Sequence, residues 1–300
     1  MTICSAPGKI FLCGEHAVVY GEPAIACAID LRTRVSIQES LDTSITSKLG
    51  RGIDRHPYVL KAIERMKMLT EFDGVKVKID SEIPPESGLG SSAAVTIATL
   101  SAINMEFDVG LSDEEIAELG HSIEVEIQGA ASPTDTFIST MGGVVLMPSR
   151  RRLKNLDYGF VVGDTGKTSS TKELVGRVSL LRERYPDVVQ MIFNAIGAIA
   201  KRGEHLIEEG DCSAIGELMN INQGLLESLG VGCPELSAQI YAARDAGAFG
   251  AKITGAGGGG CMVALVSHDH AEKVAKAIEE AGGRAIKARV TEVGVATEDE

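Results

Sequence analysis

The segment best suited to hold a phosphate is Ile83-Pro84-Pro85-Glu86-Ser87-Gly88-Leu89-Gly90-Ser91-Ser92-Ala93-Ala94-Val95. Two prolines stop the strand before it, two glycines and three serines form a tight turn, and a helix starts at once. A helix N-terminus leaves about four N–H groups unpaired and carries roughly half a positive charge. Glycines let that backbone close on an anion with no Cβ in the way. The serines add hydroxyl oxygens, one of which could bind Mg²⁺. An ordinary capped helix after a turn would use the same residues, so the segment alone does not decide between the two readings. It is not a Walker A loop, because no Lys follows the last glycine, and Gly-x-Gly-x-x-Gly is absent.

Two other segments carry chemistry. Lys252-Ile253-Thr254-Gly255-Ala256-Gly257-Gly258-Gly259-Gly260-Cys261 lies between strand-like runs and has five glycines in six positions. In a regular element each glycine costs roughly 0.5–1 kcal/mol relative to Ala. Such a run therefore points to unusual backbone angles or a close approach. The N-terminal Ala6-Pro7-Gly8-Lys9-Ile10-Phe11-Leu12-Cys13-Gly14-Glu15-His16-Ala17-Val18-Val19-Tyr20-Gly21 gathers Lys, Glu and His around a strand and a turn.

The elements that must position these segments are of mixed type. Strands are predicted at Lys9–Cys13, Ala24–Ile37 and Val75–Ile79, the last alternating with period two. A helix over His56–Leu69 has its apolar residues on one stripe. Ser112-Asp113-Glu114-Glu115 is a capping box opening a helix to about Gln128. Strands follow at Gly142–Pro148 and Phe160–Val162, separated by the basic run Arg150-Arg151-Arg152-Leu153-Lys154, which reads as a solvated loop. Thr171 to Gly247 is mainly helical; a strand at Cys261–Val266, a helix at Ala271–Gly282 and a strand near Ala285–Val290 end the chain. The pattern is α+β in two halves, without regular βαβ alternation, and the boundary falls within Arg150–Asp157.

Composition limits the partners. A net charge of −13 with only one short basic run disfavours nucleic acid. No apolar run reaches the roughly 18 to 20 residues of a membrane span, and the N-terminus lacks the pattern of a secretory signal. Six scattered cysteines, without a Cys-x-x-Cys pair, suggest neither a zinc site nor disulfides but free thiols in a reducing cytoplasm.

In order and spacing, the three segments resemble the motifs of the GHMP kinase family, named for galactokinase, homoserine kinase, mevalonate kinase and phosphomevalonate kinase. The resemblance spans Ser5 to Val266. Within the family, Gly14–Gly21 and Asn222–Val231 resemble the branch acting on mevalonate, and the short length resembles archaeal members. The resemblance implies a two-domain fold: residues 1–155 as a ribosomal-protein-S5-like α/β domain with the phosphate loop, and 156–300 as a ferredoxin-like α+β domain. It implies ATP and Mg²⁺ as cofactors, phosphorylation of mevalonate at its C5 hydroxyl, and a homodimer.

The family's metal carboxylate and its base stand eleven residues apart, which the resemblance places on Glu124 and Asp135 in His121-Ser122-Ile123-Glu124…Ser132-Pro133-Thr134-Asp135. Glu124 shares a helix face with the small Ala117 and Gly120, and Asp135 is expected in a loop. The implied roles are Asp135 as base, Lys9 as its cationic neighbour, Pro85–Ala94 as nucleotide loop, and Ser92 with Glu124 at the metal. Glu15, His16 and Gly257, with Lys9 and Asp135, would contact the substrate. Glu86 stands where a small residue is usual and is expected to point to solvent. Cys13 replaces a commoner Phe, a packing difference.

Overall fold

The computed structural model describes residues 1–48, 50–52, 55–85, 87–129 and 131–298, with only the backbone of Arg51. The chain opens with β1 (Thr2–Cys13) and β2 (Ala24–Ser40), joined by a turn containing a short 3₁₀ segment at Ala17–Tyr20. Next come β3 (Ser44–Ser47), β4 (Gly50–Arg51), α1 (Pro57–Lys67) and β5 (Gly74–Ser81). Three helices follow, α2 (Ser91–Glu106), α3 (Asp113–Gln128) and α4 (Thr134–Met141), then the strands β6 (Val144–Met147) and β7 (Arg151–Leu153). These strands lie in one sheet of order β12-β1-β2-β5-β3-β4, where β12 is Ala296–Glu298, with β6 pairing to β2 and β7. In β5 the alternation works as read: Val75, Val77 and Ile79 are buried while Lys76, Lys78 and Asp80 face water.

A second sheet begins at β8 (Gly159–Asp164). Four helices precede its next strand: α5 (Thr171–Arg184), α6 (Pro186–Glu209), α7 (Cys212–Ser228) and α8 (Pro234–Asp245). Then come β9 (Gly250–Thr254), β10 (Cys261–Val266), α9 (Ala271–Glu280) and β11 (Arg284–Arg289). The order β11-β8-β10-β9, all antiparallel, places the sheet's last strand beside its first, as in a ferredoxin-like sheet.

The capping box of α3 forms as predicted: the Ser112 hydroxyl accepts from the Glu115 N–H at 3.3 Å, and the Glu115 carboxylate accepts from the Ser112 N–H at 2.8 Å. One apolar cluster runs through β1, β2, α1 and α2 into Ile199 and Leu206 of α6, Met219 of α7 and Val263 of β10. The two sheets therefore share a core. A second cluster fills the space between the second sheet and α5, α6, α8 and α9.

Two expectations are corrected. The basic run is not simply a solvated loop: Arg151–Leu153 pairs with β6, and Arg151 forms an ion pair with Glu204 of α6. Asp135 is not in a loop but in the first turn of α4, after Pro133. Among the described residues no helix is long and apolar enough to cross a membrane.

Candidate active site

The N-terminus of α2 has no side-chain cap in its first turn. Gly90 precedes it in a left-handed conformation (φ 75°). The N–H groups of that turn are thus left without an intrahelical partner. Ser87, by contrast, is spent on shape: its hydroxyl donates to the Pro84 carbonyl at 2.7 Å. β1 runs directly beneath the loop, with the Lys9 N–H donating to the Leu89 carbonyl at 2.8 Å. Lys9 is only 2% exposed, and its Nζ donates to the Gly88 carbonyl at 3.0 Å. Glu86 lies outside the described residues, so its expected orientation is not addressed by them.

Opposite Lys9 stands Asp135, its Oδ2 at 3.3 Å from Nζ. The Lys9 ammonium also sits 4.5 Å from the centre of the Phe11 ring. On the neighbouring helix, the Ser92 hydroxyl donates to Glu124 Oε1 at 2.8 Å. Glu124 is 2% exposed, and its pKa is pushed up to about 8. Burial is the main cause and Asp135 adds to it, while the Ser92 hydrogen bond and Lys9 pull the other way. Strand β1, helices α2 and α3 and the start of α4 thus bring Lys9, Ser92, Glu124 and Asp135 to one place.

The second glycine run packs against the first. A Cβ on Gly88 would lie 2.8 Å from the Thr254 carbonyl oxygen, and one on Gly255 would lie 2.8 Å from Gly88 Cα. Both glycines have positive φ. Gly257 is packed elsewhere, its Cα against the Val231 carbonyl, where a Cβ would stand 2.2 Å away. The Ser169 hydroxyl donates to the Gly257 carbonyl at 2.7 Å.

His16 adopts a positive φ of 61° and its Nε2 meets the Ala256 carbonyl at 3.0 Å. Burial lowers its pKa, which favours the neutral ring. Glu15, expected at the substrate, has its carboxylate engaged within the protein: it is ion-paired to Lys252, and Asn222 Nδ2 donates to its Oε2 at 3.3 Å.

With the geometry in place, comparison with known proteins is informative. Residues 57–143 match the model of the GHMP kinases N terminal domain and residues 204–284 that of the GHMP kinases C terminal region. Mevalonate kinase of Archaeoglobus fulgidus is 47% identical over 266 residues, covering 88% of this chain and 92% of that one. The chain belongs to the GHMP kinase family. A second relative, mevalonate kinase of Thermococcus sibiricus, is 41% identical over an alignment of 328 residues, covering 99% and 98%. Among solved structures, Methanococcus jannaschii mevalonate kinase superposes with a TM-score of 0.85 at 31% identity, covering 96% of this chain and 98% of that one. The L. major mevalonate kinase in complex with R-mevalonate gives 0.82 at 26% identity, covering 96% and 95%.

A GHMP kinase works on ATP with Mg²⁺ as the usual associated ion, and the residues here fit that ion. Ser92 and Glu124 offer hard oxygen donors side by side, and a buried carboxylate held up in pKa is one that a cation would relieve. Among the described residues no three His, Cys, Asp or Glu side chains cluster as a metal cage. Mg²⁺ does not need one: it takes one or two protein carboxylates and completes its shell with phosphate oxygens and water.

Sequence reasoning missed Lys252 as part of the site's foundation. It is fully buried, and its Nζ donates to Glu15 and to the Ile253 carbonyl. A lysine between Ala251 and Ile253, in a run otherwise free of charge up to Cys261, was the available signal.

Proposed function

We propose that this GHMP kinase transfers the γ-phosphoryl group of ATP to the C5 hydroxyl of mevalonate, giving mevalonate 5-phosphate and ADP. The observation that carries the reading is the convergence of the Lys9–Asp135 pair and the Ser92–Glu124 pair on the uncapped start of α2. Phosphoryl transfer asks a protein mainly for positioning and charge neutralisation, and this arrangement supplies both. The choice of mevalonate is supported by relatives that carry that activity in their names at 41–47% identity.

The residues divide the work as follows. The loop Pro85–Ala94 holds the phosphates, chiefly through the backbone N–H groups of Gly88–Ser92. Ser92 and Glu124 would hold Mg²⁺, which when bound neutralises charge on the phosphate oxygens. Asp135 takes the hydroxyl proton, and Lys9, 3.3 Å from it, counters negative charge on the transferring group. His16 and Gly257 form the acceptor side, and Glu15 acts there through the turn that Lys252 and Asn222 anchor. The reading includes a homodimer in the cytoplasm, a compartment consistent with six unpaired cysteines; light scattering tests the dimer.

An ADP-release assay with mevalonate, mevalonate 5-phosphate and galactose as alternative acceptors tests the function. Turnover with mevalonate should exceed that with the others by orders of magnitude; faster turnover of another acceptor overturns the reading.

A further inference from the structure

Strand β9 stands at one end of the second sheet, with β10 on its inner side. An end strand presents a row of unpaired N–H and C=O groups, and here α7 meets that row with amide side chains. Asn220 Oδ1 accepts from the Ala251 N–H at 3.0 Å, and Gln223 Oε1 accepts from the Ile253 N–H at 2.8 Å. The two amides are neighbours on one helix face, and their targets are alternate residues of one strand edge. Gln223 is 2% exposed, and its Nε2 donates to Glu227 Oε1 at 3.0 Å. A carboxylate only accepts and an N–H only donates, so the Gln223 amide has one permitted orientation.

The residues that follow Ile253 connect this edge to the site. The Thr254 hydroxyl accepts from the Phe11 N–H of β1 at 3.3 Å. Gly88 packs on the Thr254 carbonyl and Gly255 packs on Gly88, with no room for a Cβ at either glycine. Asn220 thus holds β9 near its start, whereas Gln223 holds it one residue before the contact with the phosphate loop. A slip of β9 along α7 at Ile253 moves the wall against which Gly88 rests.

The geometry points to Gln223 as a positioning residue for ATP: through the Ile253 N–H it holds Thr254 and Gly255 against Gly88, and so fixes the phosphate loop without touching the nucleotide. The inference rests on the reading that Gly88–Ser92 hold the phosphates.

Calorimetric titration of ATP with MgCl₂ into variants of the full chain, beside their ligand-free Tm values, tests it. Gln223→Met keeps the volume but not the acceptor, and should weaken ATP binding about threefold to tenfold, the scale of one net hydrogen bond. Gln223→Glu keeps an oxygen for the Ile253 N–H and should stay within about twofold of the parent. Asn220→Leu removes the matching bond at Ala251; it should lower Tm as far as Gln223→Met does, yet leave ATP affinity within about twofold. Gln223→Asn, one methylene shorter, replaces the methionine variant if that one does not fold. Equal weakening by Asn220→Leu or by Gln223→Glu would show a general loosening of the strand and overturn the proposal, as would unchanged affinity in Gln223→Met. Gly88→Ala is the separate check on the underlying reading. If it leaves ATP affinity intact, the phosphate assignment falls and the role of Gln223 with it; if it weakens ATP binding while Gln223→Met does not, only the role of Gln223 falls.

Discussion

Asp135 faces a lysine that is almost wholly withdrawn from water, and this pairing sets the expectation for its replacement. Asp135→Asn keeps the shape and the hydrogen-bonding capacity but not the proton acceptor. It should bind ATP nearly as well as the parent yet lose at least about a hundredfold in kcat, the usual cost of removing a positioned base. Steady-state kinetics beside ATP titration checks this; a kcat within a few-fold of the parent's removes Asp135 from the role. Glu124 makes a prediction about pH. Its pKa of about 8 in the folded protein lies above its ordinary value of 4.5. Between those values the unfolded chain has given up the proton and the folded one keeps it, so metal-free stability is lost as pH rises through that window. Glu124→Gln cannot titrate. Its Tm advantage over the parent in EDTA should be small at pH 5 and grow up to pH 8.5, as read by scanning calorimetry. At this scale the spacing of the resemblance singled out Glu124 and Asp135, and the fold brings them beside Ser92 and Lys9. Lys252 was not legible, because its partner Glu15 is brought to it only by the fold, from 237 positions away.

The elements sort by whether their own residues determine them. The α3 capping box and the β5 alternation were legible because each is a local pattern. Ser112→Ala, which removes one side of that box, should cost about 1 kcal/mol and lower Tm by a few degrees with turnover unchanged. Strand β7, helix α4 and strand β12 were not legible. They are short, and their sequences carry no periodicity; pairing with β6, the Pro133 start and pairing with β1 make them. The two glycine runs occupy a middle position. Their unusual composition announced a close approach, but not that the approach is to one another. Gly88→Ala would force a side chain into a left-handed position, about 1–2 kcal/mol, and press it on the Thr254 carbonyl. Both Tm and ATP affinity should fall, the affinity by tenfold or more, in thermal shift and titration measurements. Retained affinity would mean that the loop does not need this contact to hold phosphates.

Across the whole molecule, one buried ion pair joins residues far apart in the chain. Lys252 of β9 and Glu15 after β1 are 0% and 2% exposed, and Asn222 of α7 completes the cluster. Removing one partner of a buried pair leaves an uncompensated charge and typically costs about 3–5 kcal/mol. Lys252→Met should therefore lower Tm by many degrees and raise the KM for mevalonate, whereas Lys252→Arg should recover part of both. Denaturation curves and kinetics on the two variants check it. The fold class was legible from the order of helices and strands. The shared core was not, since nothing in Ile199 or Met219 announces that they pack against the first sheet.

The pairing of β12 with β1 sets a schedule as well as a structure. Ile3 lies opposite Glu298, so β1 waits for a partner strand made nearly three hundred residues later. At roughly 5–20 residues per second that delay is on the order of 15–60 s. Throughout it, one side of β1 lacks its neighbour, and until α6 and α7 are made the apolar surface destined for them is uncovered as well. Residues 1–155 made alone would stay in that waiting state, and should show no cooperative unfolding transition and bind a hydrophobic dye. A newborn chain in that state would suit a chaperone's shelter until β12 arrives.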